Sequence, residues 1–307
     1  MINSEEWLEQ KSKGPSHLQL ELTSNCNNEC IFCPHPTISR RGNLSLPLFY
    51  KTIREFKSIG TLDRITLSWL GEPTNIDFSY KAKFIKRHLP EVELEVFTTL
   101  SGSKFNPKSI LSNLDVIQVS FAGHDNITSR KLSNLNFEKQ VERLKELVKY
   151  RNENNLKTEI IAHCINTTIL NGDAFLSEMR EIADKAFITA YQTFWDWADN
   201  SFSTETLVES SPYDCPLPFF QFLVASNGEC SICCRDIHLK NSVGSISNQS
   251  VKEMWLSEKA NQFRLDMLDR NKRKTYCTDC FANHYIEPHQ LDLQIYRKKQ
   301  WLVDRNI

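Results

Sequence analysis

The octapeptide Cys26-Asn27-Asn28-Glu29-Cys30-Ile31-Phe32-Cys33 follows directly on the strand-like run His17-Leu18-Gln19-Leu20-Glu21-Leu22. Three thiols at spacings of four and three are one short of the four that an iron-sulfur cube normally takes. Such a loop leaves one iron with an open position, and chemistry is expected there. A zinc knuckle is the plainer reading, because His35 could supply a fourth ligand from within the same loop.

Composition narrows the choice. A chain of 307 residues with 40% hydrophobic content can bury one large core and a smaller satellite. With 37 Lys and Arg against 38 Asp and Glu, the net charge of −1 gives no reason to expect nucleic acid or a membrane surface as partner. The first thirteen residues begin acidic and hold no apolar stretch, and no run approaches the roughly 18 apolar residues of a membrane span. A cytoplasmic protein is expected. Its ten cysteines would then stay reduced, which favours metal binding over a disulfide framework. They fall into two clusters with Cys164 between: Cys26, Cys30 and Cys33, then Cys215, Cys230, Cys233, Cys234, Cys277 and Cys280. Two metal sites are expected.

From residue 17 to about 200, β-rich runs alternate with amphipathic stretches, the pattern of parallel strands joined by crossover helices. Strands are expected near 17–22, 63–69, 92–99, 115–121, 158–165 and 187–194. Helices are expected over 46–58, 78–88, 107–112, 136–153 and 173–185. Phe137, Val141, Leu144, Leu147 and Val148 give the fourth of these one apolar face. From about 206 the character changes to short β-like pieces around 219–224 and 229–233 and a helix near 250–269. The expected division is an extension over 1–16, a core domain over 17–205 and a smaller cysteine-rich domain with its tail over 206–307.

The CxxxCxxC loop at the carboxyl end of a first strand resembles that of the radical S-adenosylmethionine (SAM) family. The resemblance implies a partial (β/α)6 barrel, a 4Fe-4S cluster held by Cys26, Cys30 and Cys33, and SAM on its open iron. Leu70-Gly71-Glu72-Pro73, after the second expected strand, is similar to the family's Gly-Gly-Glu-Pro turn, which receives the SAM ammonium group. Gly71 and Glu72 carry over, while Leu70 departs from the pattern. Thr99-Leu100-Ser101-Gly102 is partly similar to Thr-Asn-Gly, so Thr99 alone carries over. Ser120, in Ser-Phe-Ala-Gly, resembles a serine that hydrogen-bonds SAM. His124 and Asp125 follow as loop residues facing either substrate or water. On the fifth strand His163 and Cys164 point to opposite faces, so one of them should enter the barrel. Cys164 is either a small buried apolar residue or a hydrogen-atom donor. Trp195-Asp196-Trp197 could wall a substrate pocket.

The C-terminal cysteines resemble the SPASM/twitch extension of the same family. Cys215-Pro216, a turn at Ser226-Asn227-Gly228, Cys230-Ser231-Ile232-Cys233-Cys234, a helix holding Met254-Trp255, and Cys277-Thr278-Asp279-Cys280 occur in its order. The implied ligands of an auxiliary 4Fe-4S cluster are Cys215, Cys233, Cys277 and Cys280, with Cys234 or Cys230 as substitutes for Cys233. A zinc ribbon on the same four thiols is the alternative. With six cysteines beyond residue 200, the single-cluster twitch form is favoured.

The resemblance implies an oxidoreductase that splits SAM to a 5'-deoxyadenosyl radical and takes a substrate hydrogen. A two-electron dehydrogenation of a small molecule is the expected course, with the auxiliary cluster accepting an electron and a flavodoxin or ferredoxin as donor. Modification of a ribosomal peptide by crosslinking or epimerisation is the main alternative. The 16 residues before the first strand are too few for a peptide-recognition domain. A metal-binding scaffold without catalysis is the third reading.

Overall fold

The computed structural model describes residues 13–189, 191, 200–202, 215, 217–269 and 271–272. Strand β1 (His17–Leu20) sets the pattern for the rest: Leu18 and Leu20 are fully buried on one face, and His17 and Gln19 project from the other. The chain continues through α1 (Leu46–Ile59), β2 (Arg64–Thr66), α2 (Ser79–His88), β3 (Glu93–Thr98), α3 (Pro107–Leu111), β4 (Val116–Phe121), α4 (Asn126–Ser133), α5 (Phe137–Glu153), β5 (Glu159–Ile165), α6 (Gly172–Arg180) and β6 (Lys185–Thr189). The six strands are all parallel, in the spatial order β6-β5-β4-β3-β2-β1. Parallel neighbours need crossovers, and the helices supply them. The expected α/β architecture, a partial (β/α)6 barrel with a small cysteine-rich module, is the one observed.

The two faces of the sheet differ. Leu18, Leu20, Ile65, Leu67, Leu94, Val96, Ile117, Val119, Ile160 and Ala162 join the helix residues Phe49, Ile53, Phe56, Ile85, Leu144 and Leu147 in one core. Each of the Leu, Ile, Val and Phe side chains among them contributes about 1.5–3 kcal/mol by leaving water. The inner face is polar instead. His17 meets Thr66, Thr66 donates to Glu95, Gln118 donates to Glu95, and Gln221 donates to Gln19. Rings from β3 and β5 approach across the intervening β4, with Phe97 and His163 centroids 6.1 Å apart, so this face is concave.

Four elements differ from expectation, the first being the β-like piece expected around 219–224, in which Phe219 and Phe220 close a short helix and the strand begins at Gln221. Helix α6 stops at Arg180 because the next strand already begins at Lys185, two residues earlier than expected. Helix α4 was not foreseen; Asp125 and Thr128 close a capping box around its start and Asn134 ends it in the left-handed region at φ 56°. The helix expected near 250–269 is two, α8 (Val251–Trp255) and α9 (Glu258–Leu268), because Ser257 starts a second cap on Ala260.

The cysteine-rich end continues the sheet. After α7 (Leu217–Phe220), β7 (Gln221–Val224) pairs in parallel with β1, and β8 (Glu229–Ser231) and β9 (Gly244–Ser245) follow antiparallel. The turn at Ser226-Asn227-Gly228 forms as expected, with Gly228 at φ 87°. Arg264 of α9 lies buried over the Trp255 ring at 4.1 Å and donates to the carbonyls of Pro218 and Trp255, which fixes both helices against α7. Among the described residues no helix is long and apolar enough to cross a membrane.

Candidate active site and cluster loops

The loop after β1 is pinned at both ends before it reaches the cysteines. Leu44 and Ser24 amides donate to Leu22 and Gly42 carbonyls, and Thr23 bridges Asn43. The motif itself docks on α4: the Ile31 amide donates to Leu132 O at 2.9 Å, and Asn134 donates to Glu29. Cys26, Cys30 and Cys33 are half-buried. Burial pushes the Cys26 thiol up to about 12, and the nearby Glu72 and Cys33 add to the rise. Cys30 is raised by burial and then by Cys33, Cys26 and Glu72. Burial raises Cys33 as well. The three thiols therefore lie close together, beside a carboxylate.

His35 takes no part in that group; its Nε2 lies 2.8 Å from Ser24 O. Among the described residues no three His, Cys, Asp or Glu side chains converge as the ligands of one metal ion would. A cube does not ask for such convergence, because each thiolate takes a different iron.

The turn Trp69-Leu70-Gly71-Glu72 packs against the start of this loop. A Cβ on Gly71 would lie 2.1 Å from Thr23 O, so only glycine allows the approach. The Glu72 amide donates to Asn25 O at 2.9 Å. Its carboxylate is a keystone: it accepts from Thr74 N and Oγ1, from Thr98 Oγ1, and from Thr99 N and Oγ1. Those donors already fill the roughly four lone-pair sites of a carboxylate. Leu70 fits where glycine was expected because its side chain packs with Ile38 and Ile237.

Thr99 joins the same network. Asn28 of the cysteine motif donates to Thr99 Oγ1 at 2.9 Å and accepts from Ser101 Oγ at 2.7 Å. Leu100 adopts φ 59°, the left-handed region that leucine seldom enters. Arg143 and Gln140 of α5 hold this corner, Arg143 through Leu100 O and Gln140 through Thr99 O and Ser120 O. Gln140 was missed in the sequence. Its signal was a polar residue within the buried stripe of Phe137, Val141 and Leu144.

Ser120 lies half-buried on the inner face, in register with His163. His163 does enter the barrel, stacked on Phe187 at 5.5 Å with its Nδ1 unpartnered. Burial lowers its pKa to about 4, so the ring is neutral. Cys164 points the other way, fully buried in the helix-side core, with Sγ 3.8 Å from Gly123 O. Of the two readings of Cys164, this placement is that of a small buried apolar residue: strand alternation puts the thiol behind the sheet. Asp125 caps α4, and His124 Nδ1 accepts from the Asn171 amide at 3.2 Å, so both serve the local fold. Trp195, Asp196 and Trp197 lie outside the described residues.

At the other end, Cys230 is fully buried within the large core and its Sγ lies 3.5 Å from Gly228 O. Cys233 and Cys234 are half-buried in the turn after β8, and Cys215 is buried near α7. Asp236 organises that turn by accepting from the Lys240 and Asn241 amides. Trp69 reaches across to donate from Nε1 to Cys234 O at 2.9 Å. Cys277 and Cys280 lie outside the described residues.

Residues 215–281 match the SPASM family, an iron-sulfur cluster-binding domain. The whole fold is similar to BtrN in complex with AdoMet and 2-DOIA, at 17% identity and a TM-score of 0.62, over 87% of this chain and 93% of that one. Streptococcus suis SuiB bound to S-adenosylmethionine is 14% identical over 90% of this chain and 73% of that one, with a TM-score of 0.66. The third, anSMEcpe with bound AdoMet, is 14% identical over 95% and 94%, with a TM-score of 0.64. The chain has the radical SAM fold with a SPASM domain. No curated protein sequence matches closely enough to name a relative.

The matched SPASM domain is an iron-sulfur cluster-binding domain, and the similar BtrN, SuiB and anSMEcpe structures hold S-adenosylmethionine. The donors present suit iron-sulfur clusters. In the first loop, thiols buried together beside Glu72 resist ionisation on their own, a cost that iron cations would offset. In the SPASM turn, Cys233 and Cys234 are the accessible thiols, whereas Cys230 is packed as a small apolar side chain.

Proposed function

We propose that the protein is a SAM-cleaving oxidoreductase that removes two electrons from a small polar molecule. The observation that supports it most is the Glu72 keystone, which ties the three-thiol loop, the Gly71 turn and the Thr99 corner together at the open end of a polar inner face. Cys26, Cys30 and Cys33 would hold the SAM-binding cluster. Cys215, Cys233, Cys277 and Cys280 would hold the auxiliary one, with Cys234 in place of Cys233 as the remaining variant. Gly71, Thr99 and Ser120 would line the SAM side.

A 4Fe-4S cluster held by Cys26, Cys30 and Cys33 would supply one-electron reductive chemistry toward SAM. The chain's own task is to position and to exclude. Gly71 lets this turn sit directly against the cysteine loop, while Glu72 fixes it through its neighbours rather than through a free carboxylate. Phe97 and Phe187 flank His163 and keep water from the inner face. Ser120 and the neutral imidazole of His163 offer hydrogen bonds without charge, which suits hydroxyl and amine groups on a small substrate. A flavodoxin or ferredoxin would deliver the electron.

Anaerobic turnover of reconstituted enzyme with candidate aminocyclitols tests the reading. Loss of two mass units, matched by 5'-deoxyadenosine, is the expected result. A peptide product crosslinked, or carrying one deuterium from heavy water at unchanged oxidation state, would replace this reading with peptide maturation.

A further inference from the structure

A buried ion pair lies between the first cysteine loop and the SPASM turn, and the reaction as proposed makes no use of it. Arg40 donates from Nε to Glu21 Oε2 at 2.9 Å and from a terminal nitrogen to Oε1 at 3.2 Å. The Glu21 side chain is fully buried and that of Arg40 is 8% exposed. Burial of such a pair gives little net stability, because desolvation offsets the attraction. Its geometry suggests another use.

The remaining guanidinium nitrogen of Arg40 donates to Ile237 O at 2.7 Å, three residues beyond Cys234. The guanidinium carbon lies 4.3 Å from the centre of the Trp69 ring, a cation stacked on an aromatic face. Trp69 Nε1 in turn donates to Cys234 O. Both a formal cation and an N–H dipole therefore point their positive ends at the Cys233–Ile237 turn. The anion of the pair faces away, where Glu21 accepts from the Leu70 and Ser226 amides. Iron-sulfur potentials follow local charge, hydrogen bonding and solvent exposure, and residues behind the ligands tune a metal site.

We propose that Arg40 and Trp69 are positioning residues of the auxiliary cluster, which hold the Cys233–Cys234 turn and raise the cluster's reduction potential. The inference rests on the auxiliary cluster of the proposed function. A raised potential makes that cluster a better acceptor of the electron a substrate radical would release. It also explains why Leu70 stands in place of a glycine: the side chain, with Ile38 and Ile237, seals the pair from water.

EPR-monitored redox titration of the reconstituted holoprotein tests this. The SAM-binding cluster is recognised by the change in its signal when SAM is added. Arg40→Met and Trp69→Phe are expected to shift the other cluster to more negative potential, with Arg40→Lys staying nearer the wild type. Glu21→Gln is expected to shift it the opposite way, and it decides the matter if Arg40→Met does not fold. Unchanged potentials in Arg40→Met and Trp69→Phe with both clusters assembled would overturn the inference, as would equal shifts of both clusters. A wild type with no second cluster signal would sink the auxiliary-cluster reading itself, a result distinct from unmoved variants.

Discussion

The two cysteine turns are built by different means. The N-terminal loop borrows its rigidity from two neighbouring strand ends: Thr99 at the end of β3 and Ser101 beyond it meet Asn28 through side chains, and Glu72 after β2 ties Thr98 and Thr99 to the Asn25 carbonyl. The SPASM turn is braced largely by its own chain, with Asp236 gathering the amides that follow, while Arg40 and Trp69 reach it from the barrel. One loop is thus coupled to the inner face of the sheet, and the other to a hairpin at its edge. Damage to the first should abolish chemistry, and damage to the second should alter where an electron goes.

The largest expected effect separates them outright. Replacing Cys26, Cys30 and Cys33 together by alanine should bring 5'-deoxyadenosine formation to background and remove about four irons per chain, the content of one cube. Far-UV circular dichroism should be unchanged, because none of the three belongs to the large core. Persisting SAM cleavage in that variant would move the chemistry away from this loop.

Next in size is the keystone. Glu72→Ala would strand donors from Thr74, Thr98 and Thr99, each at a cost of about 1–3 kcal/mol when buried and unpaired. The urea midpoint should fall clearly, and SAM cleavage should drop at least about tenfold as the Gly71 turn loosens. If Glu72 instead served mainly as a free carboxylate for the SAM ammonium, Glu72→Gln would keep the midpoint and lose SAM affinity alone.

How much of this was legible in the sequence depended on the range of the interaction. The strand and helix alternation is a local pattern and was legible in outline, and the second cysteine group falls within the matched iron-sulfur domain. The capping signal at Asp125 and Thr128 is equally local but passed unread, because α4 lacks a broad apolar stripe and even exposes Ile127. The pairing of β7 with β1 joins segments about two hundred residues apart and leaves no trace in either. Nor does the Glu21–Arg40–Trp69 group, whose members come from three separate loops or strand ends. On β5 the alternation told that His163 and Cys164 part company, yet Ile160, Ile161 and Ala162 are apolar on both faces, so the phase was hidden.

A pH series sharpens the view of the inner face. His163 is held neutral by burial, with its pKa lowered to about 4 from an unfolded value near 6.5. Between those values the unfolded chain binds the extra proton, so stability is full above about pH 6.5 and declines as pH falls towards 4. The loss assignable to this ring is on the order of 3 kcal/mol. His163→Phe should lack this decline, so the difference between wild-type and variant denaturation midpoints should change steadily across that window. If the two curves run parallel, the imidazole is hydrated rather than enclosed between Phe97 and Phe187.

The smallest effect concerns its neighbour. Cys164→Val keeps an apolar side chain of similar size in the helix-side core, where a volume-conserving swap costs less than about 1.5 kcal/mol. Turnover should be close to wild type, since the thiol lies behind the sheet and its Sγ is within reach of Gly123 O rather than of the inner face. The pair of variants then divides one strand into two functions: the His163 change should alter product formation with a modest effect on folding, and the Cys164 change should do neither. A Cys164→Val enzyme that still makes 5'-deoxyadenosine but no product would mean that the thiol reaches the substrate, which would require β5 to turn over relative to β4 and lose the register of Ser120 with His163.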